Sequence, residues 1–323
     1  MKSIVEANIS NRTKVFVRGD LDVPIENGII IDTTRLENMS DTITFILEKN
    51  GHPIIGGHMG RPGGVYKKNL STKQLTSYFD KKYGGGNYEL LENLRFNKGE
   101  EENTEEYAKD LADLADLYVN ECFSTSHRNH ASFIGITKYL PSYGGFRLQK
   151  EVTTLERIFK KPKRPLVVII GGAKIKDKEP VVTNFIGIAD YILLGGKVAL
   201  DWHTEIPDNL MLPVDSAENS MDIGNNTMDK YTKIISQAKT ILWAGPLGKY
   251  EEDKYFAGSK TIAQAIAKTT KDNNAFSVVG GGDTLACIEK AGVRDSISFI
   301  SSGGSAMLKF LAEGTLIGLE ALN

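Results

Sequence analysis

Two histidines and an arginine crowd into four positions of "VNECFSTSHRNHAS" (119–132), in a chain with five histidines among 323 residues. His127, Arg128 and His130 admit three chemistries: a metal site, an anion site, or a loop held by its own hydrogen bonds. No third His, Cys, Asp or Glu stands at a recognisable zinc spacing, so the metal reading is set aside. The anion reading gains from other segments of the first half. "RGDLDVP" sets Arg18, Asp20 and Asp22 at alternating positions, on one side of the chain if the strand continues. Arg35 follows in "IDTTRLEN", His58 and Arg61 stand in "HMGRP", and Arg95 stands in "ENLRF". A lone exposed arginine is ordinarily a solvated charge. Several of them, most placed after apolar runs, supply forked donors suited to carboxylate or phosphate.

The second half offers glycine instead. "GGAKIKDK" carries Lys174 and Lys178, and "GGGDT" carries Gly280, Gly281, Gly282, Asp283 and Thr284 at an expected helix N-terminus. Glycine lets backbone approach phosphates closely, and helix N-termini favour them. The residue order of a Walker loop is absent. Asp283 reads either as a magnesium ligand or as a plain N-cap. Glu251, in "WAGPLGKYEED", reads as a ribose ligand or a solvated charge.

Elements must position these groups. Short apolar runs recur: "VFVRGDLDVP" from Val15, "PIIGGHMGRP" from Pro53, "NYELLENLRF" from Asn87 and "DLYVNECF" from Asp116. Then come "PLVVIIGGAK" (165–174), "DYILLGGK" (190–197), "TILWAGPLG" (240–248), "FSVVGGGDT" (276–284) and "ISFISSGGS" (297–305). Runs of Val and Ile without polar alternation predict strands buried on both faces. Amphipathic stretches lie between them. "SDTITFILEKNG" has Ser40 or Asp41 as N-cap and Gly51 as stop, and "TEEYAKDLADLAD" (104–116) aligns Tyr107, Leu111 and Leu114. Strand–helix alternation predicts parallel sheets with ligands at the carboxyl ends of the strands. "GFRLQKEVTTLERIFKK" aligns Leu148, Val152, Leu155 and Phe159 on one helical face, and "KPKRP" (161–165) then interrupts the helix as a hinge.

Length favours two domains. A net charge of −2 argues against a nucleic-acid partner. Cys122 and Cys287 are too few for a disulfide framework, so a reducing cytoplasm is expected. The first ten residues lack the apolar core of a signal peptide, and no apolar run is long enough to span a bilayer.

Taken together and in order, these blocks resemble those of the phosphoglycerate kinase family. "RGDLDVP", "HMGRP", "ENLRF", "SHRNHAS", "GGAKIKDK", "AGPLGKYE", "GGGDT" and "SSGGSA" correspond to its "RxDxNxP", "HLGRP", "ENLRF", "AHRAHAS", "GGAKxxDK", "NGPxGxxE", "GGGDT/S" and "STGGGA". The resemblance covers nearly the whole chain. It implies two Rossmann-like α/β domains with parallel sheets joined by a helix and hinge. Residues 1–155, completed by the tail 306–323, would bind phosphoglycerate, and residues 156–305 the nucleotide. By the resemblance, Asp20, Asp22, Arg35, His58, Arg61, Arg95 and Arg128 line the phosphoglycerate site. Lys174, Lys178, Glu251 and Gly280–Thr284 hold ADP or ATP, and Asp283 meets Mg²⁺. Departures are Asp22 for Asn, Glu121 for Asp, Ser124 for Gly, Ala244 for Asn, Lys197 and Ser305 for glycines, and Asn225 for Pro. The stretch from Lys197 to Gly224 is shorter than the family's.

The implied reaction is reversible phosphoryl transfer between 1,3-bisphosphoglycerate and MgADP, giving 3-phosphoglycerate and MgATP in glycolysis. Arg35 and Lys174 would stabilise the moving group, and closure of the two halves would align it. The family also implies a monomer without membrane association. A degenerate, non-catalytic relative and a bilobal ligand-binding protein stay open at this point.

Overall fold

The computed structural model describes every residue from Met1 to Asn323, in two compact units. The first comprises Met1–Val152 and Thr315–Asn323, the second Thr153–Gly314.

In the first unit, strands β1 (Lys14–Arg18), β4 (His52–Gly56), β5 (Glu89–Leu90), β6 (Leu117–Asn120) and β7 (Ser142–Gly144) form one parallel sheet. A small hairpin, β2 (Ile25–Glu26) and β3 (Ile29–Ile30), stands apart. The sheet order is β5-β4-β1-β6-β7. Chain order therefore reverses between β1 and β6, the kind of switch point where open α/β sheets bind ligands. Residues 15–18 and 117–120 are buried throughout, as expected of strands covered on both faces.

Several local details differ from the sequence pattern. β1 stops at Arg18, so Asp20 and Asp22 sit on a loop rather than alternating along a strand. The helix Ser40–Glu48 has neither Ser40 nor Asp41 as its cap. It runs straight on from Thr34–Asn38 with Met39 between them, and Asn50, left-handed at φ 58°, turns the chain one residue before Gly51. The helix over 105–112 ends before Leu114, with Thr104 accepting from Tyr107 N at its start.

The second unit holds β8 (Leu166–Ile170), β9 (Tyr191–Leu194), β10 (Leu210–Met211), β11 (Thr240–Ala244), β12 (Phe276–Gly280) and β13 (Phe299–Ser301). All are parallel, in the order β10-β9-β8-β11-β12-β13. That is the dinucleotide-fold strand order, with its switch point between β8 and β11. The long helix Ala257–Asn273 buries Ile262, Ala263 and Ile266 at helical spacing against a core that includes Trp243 and Val279.

Helix Phe146–Lys160 is the predicted connecting helix, and the division falls within it, between Val152 and Thr153. The tail differs from the expected 306–323. Ala306–Gly314 stays with the second unit, because helix Gly304–Glu313 packs there and Asn184 donates to Leu311 O at 2.8 Å. Only Thr315–Asn323 joins the first unit. It buries Leu316, Leu319 and Leu322, and Gly318 donates to Ser126 O at 2.8 Å. A β-carbon on Gly318 would fall 2.7 Å from that oxygen, so glycine is required for the approach. No helix is long and apolar enough to cross a membrane.

Candidate active site

In the first unit, register pairs Arg18 with both Gly56 and Asn120, so the segments after β4, β1 and β6 emerge side by side. Asp20, after β1, is 6% exposed. Arg35 Nη1 donates to its two oxygens at 2.9 and 3.0 Å, and Ser124 Oγ donates to Oδ2 at 2.7 Å. Burial alone would lower the Arg35 pKa. The Asp20 carboxylate more than offsets this, and the guanidinium ends up raised. With Nη1 engaged, Arg35 keeps Nη2 and Nε for a ligand, on a side chain 39% exposed.

Asp22 accepts from Gly60 N at 2.8 Å, and Arg95 Nη1 donates to Gly60 O at 2.9 Å. The left-handed Gly60 (φ 58°) is thus held from both sides, which fixes the loop carrying Arg61. Arg95 itself is buried, and burial followed by the charge of Arg18 lowers its pKa. His58 is also buried. Desolvation, then Arg18, Arg95 and His130, push its imidazole well below the ordinary range, so it is neutral. Its Nδ1 faces Arg18 Nη2 at 3.2 Å and must accept, which places the proton on Nε2, 4.0 Å from Asp22. Arg61 and Arg128 are exposed and enter no ion pair.

The three residues of the crowded motif separate. Arg128 points to solvent, while His127 is half-buried. His130 is buried with Nδ1 3.6 Å from Glu100. Arg18 is wholly buried, donating to Ser132 Oγ at 2.7 Å and lying over the Phe133 ring at 4.5 Å. Arg18 and His130 therefore brace the loop around a buried Glu100, and only Arg128 is free to meet a ligand.

In the second unit, the switch point is walled by glycine backbone. Gly171 N donates to Ala244 O at 3.0 Å and Gly172 N to Pro246 O at 2.7 Å. A β-carbon on Gly171 would lie 2.1 Å from Pro246 O, so no other residue fits. Lys178 is buried and donates to Gly171 O at 2.8 Å and Ala244 O at 3.2 Å. Burial lowers its pKa to about 8 against the opposing pull of Asp283 and Asp177. Lys174 is exposed and unpaired.

Gly280 ends β12, Gly281 turns the chain at φ 98°, and helix Gly282–Lys290 begins with no side-chain cap. Asp283 is therefore not the plain N-cap. It stands exposed in the first helical turn, accepting from the Tyr250 hydroxyl at 3.2 Å. Thr284 is buried, donating to Gly280 O at 2.9 Å and accepting from Gly245 N at 2.7 Å. Its hydroxyl joins two strand ends. Glu251 is exposed without an ion pair. Beside the glycines lies a cavity of about 270 Å³ lined by Gly196, Leu200, Leu212, Val214, Asp222 and Leu247, mostly apolar.

Sequence reasoning missed the parts played by Ser124, Tyr250 and Glu100. Ser124 had one signal, a hydroxyl where the resembling family has glycine. Glu100 and Tyr250 had none, since their partners are brought to them only by folding.

For Mg²⁺, the fit rests on Asp283. Magnesium keeps waters and takes one or two carboxylates together with phosphate oxygens. One exposed carboxylate next to an uncapped helix N-terminus suits that donor set.

The phosphoglycerate kinase family model matches residues 4–205 and 201–314. The two pieces meet inside the 197–224 stretch expected to be short. Phosphoglycerate kinase of Leptospira biflexa is 36% identical over 388 aligned positions, covering 98% of this chain and 97% of that protein. That of Finegoldia magna is 32% identical, covering 100% and 99%. Among solved structures, phosphoglycerate kinase from Coxiella burnetii superposes with a TM-score of 0.87 at 31% identity, covering 99% of this chain and 98% of that one. The enzyme from Pyrococcus horikoshii OT3 gives 0.81 at 28% identity, covering 100% and 98%.

Proposed function

The chain belongs to the phosphoglycerate kinase family, and on that premise we propose how its residues carry out reversible phosphoryl transfer between 1,3-bisphosphoglycerate and MgADP. The first unit binds the phosphoglycerate through Arg35, Arg61 and Arg128, with neutral His58 donating from Nε2. Asp22 accepts the substrate hydroxyl. Asp20 and Arg95 hold Arg35 and Gly60 in place. The second unit binds the nucleotide along Gly280–Gly282, with Glu251 toward the ribose and the small apolar cavity for the base. Lys178 and Thr284 shape this surface through its backbone.

The observation that carries this division is the contrast between the two switch points. One is lined by charged forks and the other by glycine backbone open to phosphate. Phosphoryl transfer asks little covalent chemistry of the protein and much charge placement. Arg35 stabilises the moving group from the acid side and Lys174 from the nucleotide side. Asp283 would hold the magnesium, which would neutralise phosphate charge when bound. The protein acts as a cytoplasmic monomer.

The test is a coupled assay of ATP formation from 1,3-bisphosphoglycerate and MgADP with the purified chain. Turnover is expected. A folded protein that binds both ligands and makes no ATP would instead be a degenerate relative, a reading that nothing in the fold or the family match favours.

A further inference from the structure

The carboxylate of Asp20 is nearly sealed from solvent and has donors on both oxygens. Those donors come from separate parts of the chain. Arg35 lies in helix Thr34–Asn38, whereas Ser124 lies in the single turn Phe123–Thr125 that follows β6. Asp20 follows β1, and β1 and β6 flank the switch point, so the Ser124–Asp20 hydrogen bond joins the segments that leave those two strands.

A carboxylate turns easily about its last torsion, which has broad wells. A donor fixed on Oδ2 sets its plane, and the guanidinium, held by Nη1 shared between both oxygens, follows that plane. Ser124 is itself well placed to hold still. Asn120 accepts from Cys122 N at 3.0 Å and donates to Ser126 Oγ at 3.0 Å, tying down the turn on either side. Glycine at position 124 would lack the hydroxyl and leave the carboxylate plane to Arg35 alone.

We infer that Ser124 is a positioning residue of this chain, which through Asp20 presets the orientation of the Arg35 guanidinium toward the transferring phosphoryl group. The inference rests on the reading of Arg35 given above. A wandering arginine still attracts an anionic substrate, because charge acts at a distance. Stabilising the group in transit demands orientation, so the effect falls on kcat.

The experiment uses the full chain and steady-state kinetics of Ser124→Ala, Ser124→Thr, Asp20→Asn, Arg35→Lys and the double variant Ser124→Ala/Asp20→Asn. Thermal unfolding of each variant checks that it is folded. Ser124→Ala is expected to lower kcat about tenfold while the KM for phosphoglycerate stays within about twofold. Ser124→Thr, which keeps the hydroxyl, restores most of the rate. The double variant falls no further than Asp20→Asn alone, because Ser124 acts through Asp20. If Arg35→Lys leaves kcat unchanged, the reading of Arg35 has failed, and this inference with it. If Arg35→Lys is impaired but Ser124→Ala is not, or if the two losses in the double variant multiply, the role given to Ser124 is wrong. A raised KM at constant kcat would also overturn it, making Ser124 a substrate contact.

Discussion

At the scale of single residues, the two candidate catalytic cations differ in how they are held. Arg35 is anchored by Asp20, whereas Lys174 is exposed and unpaired, so the lysine must be aimed by its ligand. Lys174→Ala is expected to lower kcat by about 10³, the lower end for loss of a catalytic cation in phosphoryl transfer. A fall below about tenfold, measured by steady-state kinetics, would make Lys174 a ground-state anchor only. Asp22→Asn should leave 3-phosphoglycerate affinity similar or tighter. The amide oxygen can still accept from Gly60 N, and one negative charge beside an anion is removed. Calorimetry checks this, and a large loss of affinity would reveal a need for the charge itself. His58 carries a pH prediction. Its lowered pKa keeps it neutral in the fold, while the unfolded chain protonates near pH 6.5. Its stabilising contribution is therefore complete above about pH 6.5 and is lost as pH falls below that value. Imidazole NMR should show no titration as the pH passes through the ordinary histidine range near 6.5, and a proton on Nε2.

At the scale of elements, strand ends are joined to one another before any ligand arrives. Thr284 joins the loop after β11 to the turn after β12 with a single buried hydroxyl. Thr284→Val keeps the shape and strands the Gly245 N–H. The expected cost is about 1–3 kcal/mol of stability, the desolvation penalty of an unpaired buried donor. Thermal unfolding should show the loss for valine and little for Thr284→Ser, with weakened MgADP binding following the same order. Equal behaviour of the two variants would mean that the hydroxyl does not matter. Sequence patterns located these strand ends well, because buried parallel strands are continuous Val/Ile runs. They left open where β1 ends, since nothing local marks Arg18 as the last paired residue.

At the scale of the whole molecule, the chain returns to its first unit with only nine residues, Thr315–Asn323. Leu316, Leu319 and Leu322 are buried there, each worth about 2 kcal/mol. Gly318 supports Ser126, two residues from Arg128. Removing Thr315–Asn323 should therefore lower the unfolding temperature of the first unit by about 10 °C or more and weaken phosphoglycerate binding. The second unit, which keeps helix Gly304–Glu313, should unfold as before. Calorimetric scans in which no transition moves, or in which the second unit's transition falls instead, would contradict this division of the tail.

The sequence by itself determined the fold class, the two-part organisation and the family. Those depend on periodicity, glycine placement and motif order, which are written along the chain. It also pointed to the segments at the strand ends, since residues after buried strands must emerge at a sheet's carboxyl edge. Only the tertiary structure decided what each polar group does there. Arg18 and Arg128 are the same residue type, each in a motif that resembles the family's, yet one is buried against Ser132 and Phe133 and the other faces solvent. Thr284 and Lys178 are each buried on backbone groups brought from other strand ends, which their motifs do not show. Ser124 reads as a neutral departure and meets Asp20 across a sequence separation of 104 residues. A side chain's role is fixed by which partner desolvates and orients it, and those partners lie far away in sequence.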